Sequence, residues 1–227
     1  MTADVGVFSL GRTQSQRCPN KMLRPFADTT LTDIALEKLS RCGAPAFFAG
    51  HEDAFRAKCE QHGVPFVKRD LRSAQIDGPI VDILSFLRAV EYRYVLLVSS
   101  CAPFLKVETI AGFLQECLRH DRQPAISVHV RRKHLLSQDR RALNFDLGAA
   151  TLNTKTVSPV YELADALYFF DREYFLRRGT YWDWQAVRLV EVPPNELIDI
   201  DTEEEFAFAQ GLWKMQEAHR WELSKTP

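Results

Sequence analysis

Tyr94-Val-Leu-Leu-Val98 is an apolar run with no polar break, and it ends abruptly in the polar and turn-forming segment Ser99-Ser-Cys-Ala-Pro103. A strand that short, without inside/outside alternation, must be covered on both faces. This is the position of a central strand in a parallel sheet flanked by helices. The neighbouring segments fit that frame. Val5 to Phe8 and Ala46 to Ala49 read as short buried strands, and Pro65-Phe-Val67 as a third. Leu31, Ile34, Ala35, Leu39 and Cys42 recur at helical spacing before Gly43 and Pro45, and Asp53 to His62 reads as a helix ended by Gly63. Ile80, Ile83, Leu84, Leu87 and Val90 make a stripe predicting one helix that starts at Pro79. A βαβαβ rhythm follows, and with it the expectation that ligands collect beyond the carboxyl ends of the strands.

Further along, Val107 to Leu118 predicts an amphipathic helix, and Ala125 to Val130 and Ala166 to Phe170 predict strands. Thr202-Glu-Glu-Glu205 is a capping box opening a last helix with Phe206, Ala209 and Trp213 inward. Periodicity fails between Arg131 and Ser158, which reads as an arm or hairpin excursion. No linker divides the 227 residues, so 1–227 is expected to be a single α/β domain.

Lys and Arg total 29 against 30 for Asp and Glu, which offers no global attraction for nucleic acid or an anionic membrane; a small-molecule partner fits better. The five cysteines are scattered without CxxC or Cys/His spacing, so reduced thiols and a cytoplasmic location are expected. The N-terminus carries no secretory pattern, and no apolar stretch reaches membrane-spanning length.

Two motifs carry chemistry. Ser15-Gln-Arg17-Cys-Pro19-Asn-Lys21, with Arg12 before it, puts a hydroxyl and three cations on one loop after the first strand. Such a loop can hold a triphosphate, although a solvated basic loop is equally consistent with its composition. It is not a P-loop, since neither GxxxxGK[ST] nor GxGxxG occurs. Near the other end, Ile198-Asp199-Ile200-Asp201 places two carboxylates on one face if the segment is extended, and carboxylates so close repel unless a cation lies between them. An acidic patch on the dipole of the following helix is the competing explanation, and it accounts poorly for Asp199. Together the two motifs point to nucleotidyl transfer from a nucleoside triphosphate with a divalent metal.

The first loop also resembles that of the cytidylyltransferases that activate acidic sugars, the CMP-sialic acid and CMP-KDO synthetases, whose pattern reads A-R-x-x-S-x-R-x-P-x-K. The resemblance extends to Pro159-Val-Tyr161, to Ala164-Asp165-Ala-Leu-Tyr168 and to the x-D-I-D-T segment at Ile198 to Thr202. It implies a three-layer, Rossmann-like nucleotidyltransferase fold with a mostly parallel sheet and a protruding arm at about 131–158. It implies that Arg12, Ser15, Arg17 and Lys21 contact the phosphates, and that Arg69 and Ser99 lie near the base, Ser99 standing where the family has Gln. It implies that Lys155, Tyr161 and Asp165 meet the acceptor, Lys155 being the nearest substitute for a family arginine. Arg12, Lys21 and Asp201 would serve catalysis, with Asp199 and Asp201 holding Mg2+. CTP and an acidic sugar are the implied partners, and a homodimer is expected. The departures at Ser99, Lys155 and Ala164 leave two alternatives, a different acceptor or nucleotide and a catalytically weak nucleotide-binding relative.

Overall fold

The structure, a computed structural model, describes residues 3–75 and 78–224, with side chains through 218. Its elements follow in the order β1 (Val5–Leu10), α1 (Leu31–Arg41), β2 (Ala46–Gly50), α2 (Asp53–His62), β3 (Phe66–Lys68), α3 (Leu71–Gln75), α4 (Ile80–Ile83), β4 (Tyr94–Val98), α5 (Val107–Arg119), β5 (Ala125–Arg131), β6 (Val160–Asp171), α6 (Arg172–Arg178), β7 (Arg188–Glu191) and α7 (Glu203–Ser224). The strands form a seven-stranded sheet in the order β3-β2-β1-β4-β6-β5-β7. It is mostly parallel, and β6 alone runs against its neighbours β4 and β5. Tyr94–Val98 is therefore central as expected, but parallel on one side only.

Alternation along β4 explains the three layers. Leu96 and Val98 join Val5, Val7, Leu167 and Phe169 under α1, α5 and α7. Val95 and Leu97 join Phe8, Ile126 and Phe170 on the opposite face, under Leu84, Phe86, Leu87, Phe175 and Trp182. Successive side chains on a strand point to opposite faces, so an unbroken apolar run supplies both layers. The capping box forms as the sequence predicts: the Glu205 amide donates to Thr202 Oγ1 at 3.2 Å, and the Thr202 amide donates back to Glu205 Oε2 at 2.9 Å. Phe206 and Ala209 are buried beneath it, with Phe26 edge-on to Phe206.

Three expectations change. The stripe from Ile80 to Val90 is not one helix, because α4 stops at Ile83 and a 3-10 turn runs over Ser85–Ala89. The reason lies outside the stripe. Arg69 takes the Ile83 carbonyl at 3.0 Å, and the Leu87 amide donates to Leu84 instead, at 3.0 Å. Strand β6 is 12 residues long rather than five, since its first half extends along β5 beyond the end of β4. The segment from Ile198 to Ile200 is not a strand; the Ile200 amide donates to the Cys101 carbonyl at 3.0 Å and pins it beside the loop after β4. Helix α6 and strand β7 are too short to leave a periodic signature. The arm at 131–158 is irregular but tethered: Asn144 is buried and donates to the carbonyls of Lys133 and Ser158 at 2.8 and 2.9 Å. Among the described residues, no helix is long and apolar enough to cross a membrane.

Candidate active site

Where β1 and β4 end side by side, a cavity of about 470 Å³ opens at the carboxyl edge of the sheet. Arg12, Ser15, Arg17, Lys21, Arg69 and Asp201 all line it, joined by Ser100, Cys101 and Ser73. The position follows from the topology, because β1 and β4 are parallel neighbours whose following loops leave in opposite directions.

The cationic loop is held in shape by its own backbone and by the next strand-helix turn. Asn20 takes a left-handed backbone at φ 54°, and its amide donates to Thr13 at 3.1 Å, closing the loop. Thr13 Oγ1 donates to Glu52 Oε1 at 2.5 Å, fixing the loop to the start of α2. Gly11 leads into it with no room for a side chain: a Cβ there would lie 2.7 Å from the Phe48 ring and 2.8 Å from the Phe55 ring. The Thr13 hydroxyl thus makes the loop more rigid.

Lys21 joins the two ends of the chain. Its side chain is buried, and the ammonium donates to the Ile200 carbonyl and, at 3.3 Å, to Asp201 Oδ1. Burial alone would lower its pKa, but the adjacent Cys101 thiol and Asp201 carboxylate outweigh that and raise it. Arg17 approaches Asp201 from the solvent side at 2.8 Å.

Arg69 sits on the cavity floor, 3% exposed, with its donors directed to backbone carbonyls at Ser73, at Ile83 (3.0 Å) and at Gly11 (3.5 Å). Its Nε is buried without a partner. Burial and the nearby charge of Arg12 lower its pKa to about 10. Its geometry is that of a clamp tying the loop after β1 to α3 and α4.

Asp199 lies outside the cavity lining, with Ser99 Oγ donating to it at 3.3 Å. Burial, then the charge of Asp201, pushes its carboxyl up to about 6. The two carboxylates are therefore close enough to oppose each other's ionisation, a penalty that a bound divalent cation would relieve. An all-oxygen pair suits a hard cation such as Mg2+, which takes one or two carboxylates and completes its shell with water and phosphate. Among the described residues, no three histidine, cysteine, aspartate or glutamate side chains are grouped to hold one ion.

The three residues expected near the acceptor, Lys155, Tyr161 and Asp165, are all exposed and do not line the cavity. Lys155 stands on the arm in a short 3-10 turn. Asp165 lies just past the end of β4, next to Ala166, whose carbonyl accepts from the Ser99 amide at 2.8 Å. Sequence reasoning missed Ser100, whose hydroxyl donates to the Leu10 carbonyl at 2.5 Å and stitches β1 to the loop after β4. It also missed Glu52, whose anchoring of Thr13 has no signal in the chain because the two residues are far apart.

Comparison with known proteins agrees with this fold. A profile of the MobA-like NTP transferase domain matches residues 11–165. Among solved structures, CMP:2-keto-3-deoxy-manno-octonic acid synthetase complexed with CTP superposes with a TM-score of 0.67 at 12% identity, covering 93% of this chain and 99% of that one. The 4-diphosphocytidyl-2C-methyl-D-erythritol synthase of Anaerococcus prevotii superposes with a TM-score of 0.63 at 14% identity, covering 92% and 96%. No curated protein matches the sequence. The cationic loop begins where the matched region begins, and the sheet is that of the nucleotidyltransferases. The chain thus belongs to the family of MobA-like NTP transferase domains.

Proposed function

We propose that the protein transfers CMP from CTP to a hydroxyl of a sugar-type acceptor and releases pyrophosphate. The observation that carries this reading is the Lys21 ammonium, held between the first loop and Asp201 at the mouth of the cavity. It places the cations of one motif and the carboxylate of the other in one site. CTP is supported by the loop's resemblance to cytidylyltransferases and by the two solved structures, one complexed with CTP and one named for a diphosphocytidyl product.

Arg12, Ser15, Arg17 and Lys21 would hold the triphosphate, their donors already positioned by Thr13, Asn20 and Glu52. The acceptor oxygen forms a bond to the α-phosphorus while the bond from that phosphorus to the bridging oxygen breaks. Pyrophosphate leaves toward the cationic loop, and the hydroxyl proton passes to solvent. Among the described residues, no side chain in the cavity is placed as a general base. Mg2+, when held by Asp199 and Asp201, would supply charge neutralisation and lower the pKa of the attacking hydroxyl.

The acidic sugar implied by the resemblance is the narrower version of this reading. Its support is weaker at the acceptor end, because Lys155 is exposed on the arm while Asp165 and Asp199 stand beside the end of β4. A homodimer formed through the arm belongs to the same reading, supported by the exposed Leu136, Leu143, Leu147 and Leu152; sedimentation at increasing concentration tests it. The enzymatic test is pyrophosphate release from each NTP with Mg2+ and a panel of sugar alcohols, sugar phosphates and sugar acids. Turnover restricted to CTP is expected. Nucleotide binding without release from any pair would favour the non-catalytic relative.

A further inference from the structure

The cationic loop is tied to the start of α7 twice, once inside the cavity and once behind it. Inside, Asp201 meets Arg17 and Lys21. Behind, Glu203 meets Arg24 in a two-pronged contact: Nη1 donates to Oε1 at 2.9 Å and Nη2 to Oε2 at 2.7 Å. The same two nitrogens also reach the loop, Nη2 to the Cys18 sulfur at 3.3 Å and Nη1 to the Pro19 carbonyl at 3.5 Å. The Arg24 amide donates to the Asn20 carbonyl at 3.1 Å, which joins its backbone to the loop as well. The guanidinium lies 3.8 Å over the ring of Phe206, itself buried and edge-on to Phe26.

Arg24 is not among the residues lining the cavity. Its contacts fall on Cys18, Pro19 and Asn20, the residues between Arg17 and Lys21, which do line it. Cys18 is fully buried while Arg17 is exposed, so a grip on Cys18 from behind turns its neighbour toward Asp201. A two-pronged arginine-carboxylate pair stacked on a ring fixes direction as well as distance. With Glu203 exposed and Arg24 only half-buried, the pair adds little to global stability. Its effect is on where the loop's cations point.

We propose that Arg24 is a positioning residue for nucleotidyl transfer: clamped to Glu203, it holds Arg17 and Lys21 in register with Asp201. The proposal rests on the nucleotidyl-transfer reading above and adds to it a pair of residues outside the cavity. Donors that stabilise a triphosphate work because they are already in place, and a misplacement of about 1 Å costs up to about a hundredfold in rate. Loss of the clamp therefore acts on the triphosphate end of the reaction and leaves the acceptor end alone.

The test compares wild type with Arg24→Met, Arg24→Lys, Glu203→Gln and the double variant Arg24→Met/Glu203→Gln. Pyrophosphate release with CTP and Mg2+ is measured on the acceptor panel above, beside melting temperature and the rate at which iodoacetamide alkylates Cys18 without nucleotide, read by peptide mass spectrometry. Arg24→Met is expected to lower kcat/KM for CTP by about tenfold or more and to leave the KM for the acceptor unchanged. Cys18 should be alkylated about tenfold faster, and the melting temperature should fall by no more than about 4 °C. Arg24→Lys should not restore the rate, because an ammonium cannot make the two-pronged contact. Glu203→Gln should share the defect, and the double variant should be no worse than Arg24→Met, since both changes remove one contact; Glu203→Gln, at an exposed position, carries the test if Arg24→Met folds poorly. An Arg24→Met enzyme with unchanged kcat/KM for CTP, a defect that Glu203→Gln does not share, or full rescue by Arg24→Lys would overturn the positioning role while leaving nucleotidyl transfer standing. A wild type that releases pyrophosphate from no NTP with any acceptor would overturn nucleotidyl transfer and this proposal together.

Discussion

The Arg17 guanidinium lies 2.8 Å from the Asp201 carboxylate, and the Lys21 ammonium reaches the same carboxylate at 3.3 Å. One acidic side chain at the start of α7 thus meets two cations of a loop nearly the whole chain away. Asp201→Ala should lower turnover by at least about a hundredfold, the scale of losing one preorganised electrostatic contact. Affinity for CTP in metal-free buffer should hold or rise, because the two cations are released toward the phosphates. Steady-state kinetics and calorimetric titration with and without chelator check this, and an unaffected rate would remove Asp201 from the site.

Arg69 is expected to act on the site through the fold. It is the shared donor for carbonyls at Gly11, Ser73 and Ile83, and Arg69→Met leaves those acceptors to be resolvated or stranded. A loss of about 2–4 kcal/mol in urea unfolding is the expected result, since bonds from a charged donor exceed the ordinary hydrogen bond. A variant as stable as wild type, with CTP binding lost, would instead make Arg69 a direct ligand contact.

Gly11→Ala drives a methyl group into two buried rings, Phe48 and Phe55, at 2.7 and 2.8 Å. Overpacking of this kind costs about 1–3 kcal/mol. Because Gly11 opens the cationic loop proposed to hold the triphosphate, the KM for CTP should rise alongside the fall in melting temperature. Relief by Phe55→Leu in the same chain would confirm the collision as the cause.

Lys38 gives a pH dependence that can be isolated. Burial lowers its ammonium from 10.5 to about 7 against the opposing charges of Glu196 and Glu37, while Nζ donates to the carbonyls of Ala102 and Pro103 at 2.7 and 2.8 Å. A lysine depressed on folding means that the unfolded chain binds more protons between about pH 7 and 10.5, so this group makes stability rise with pH across that window and adds no slope below it. Buried cysteines and tyrosines act in the opposite sense, so the comparison is with Lys38→Met. The difference in melting temperature between wild type and variant should move in favour of wild type from pH 7 to 9.5, and a constant difference would refute the shift.

Much of the fold was legible because it is local. Helix α2 and strand β4 stand at the residues their patterns predict, and the capping box at Thr202 forms from residues three apart. The helix expected over Pro79 to Val90 failed for a non-local reason, since its apolar stripe is real but Arg69 captures the carbonyl the next turn required. The direction of β6 was equally invisible, because an apolar run carries no sign of whether it pairs parallel or antiparallel.

The sequence by itself determined the layered α/β architecture and the two chemical motifs, because hydrophobic period, capping and charge spacing act over a few residues. Only the tertiary structure decided that Lys21 would bridge those motifs, that Arg69 would be a buried clamp, and that Asp165 would stand exposed at a kinked strand. These depend on strand order, register and burial, which set distances and local dielectric between groups that composition and spacing cannot bring together.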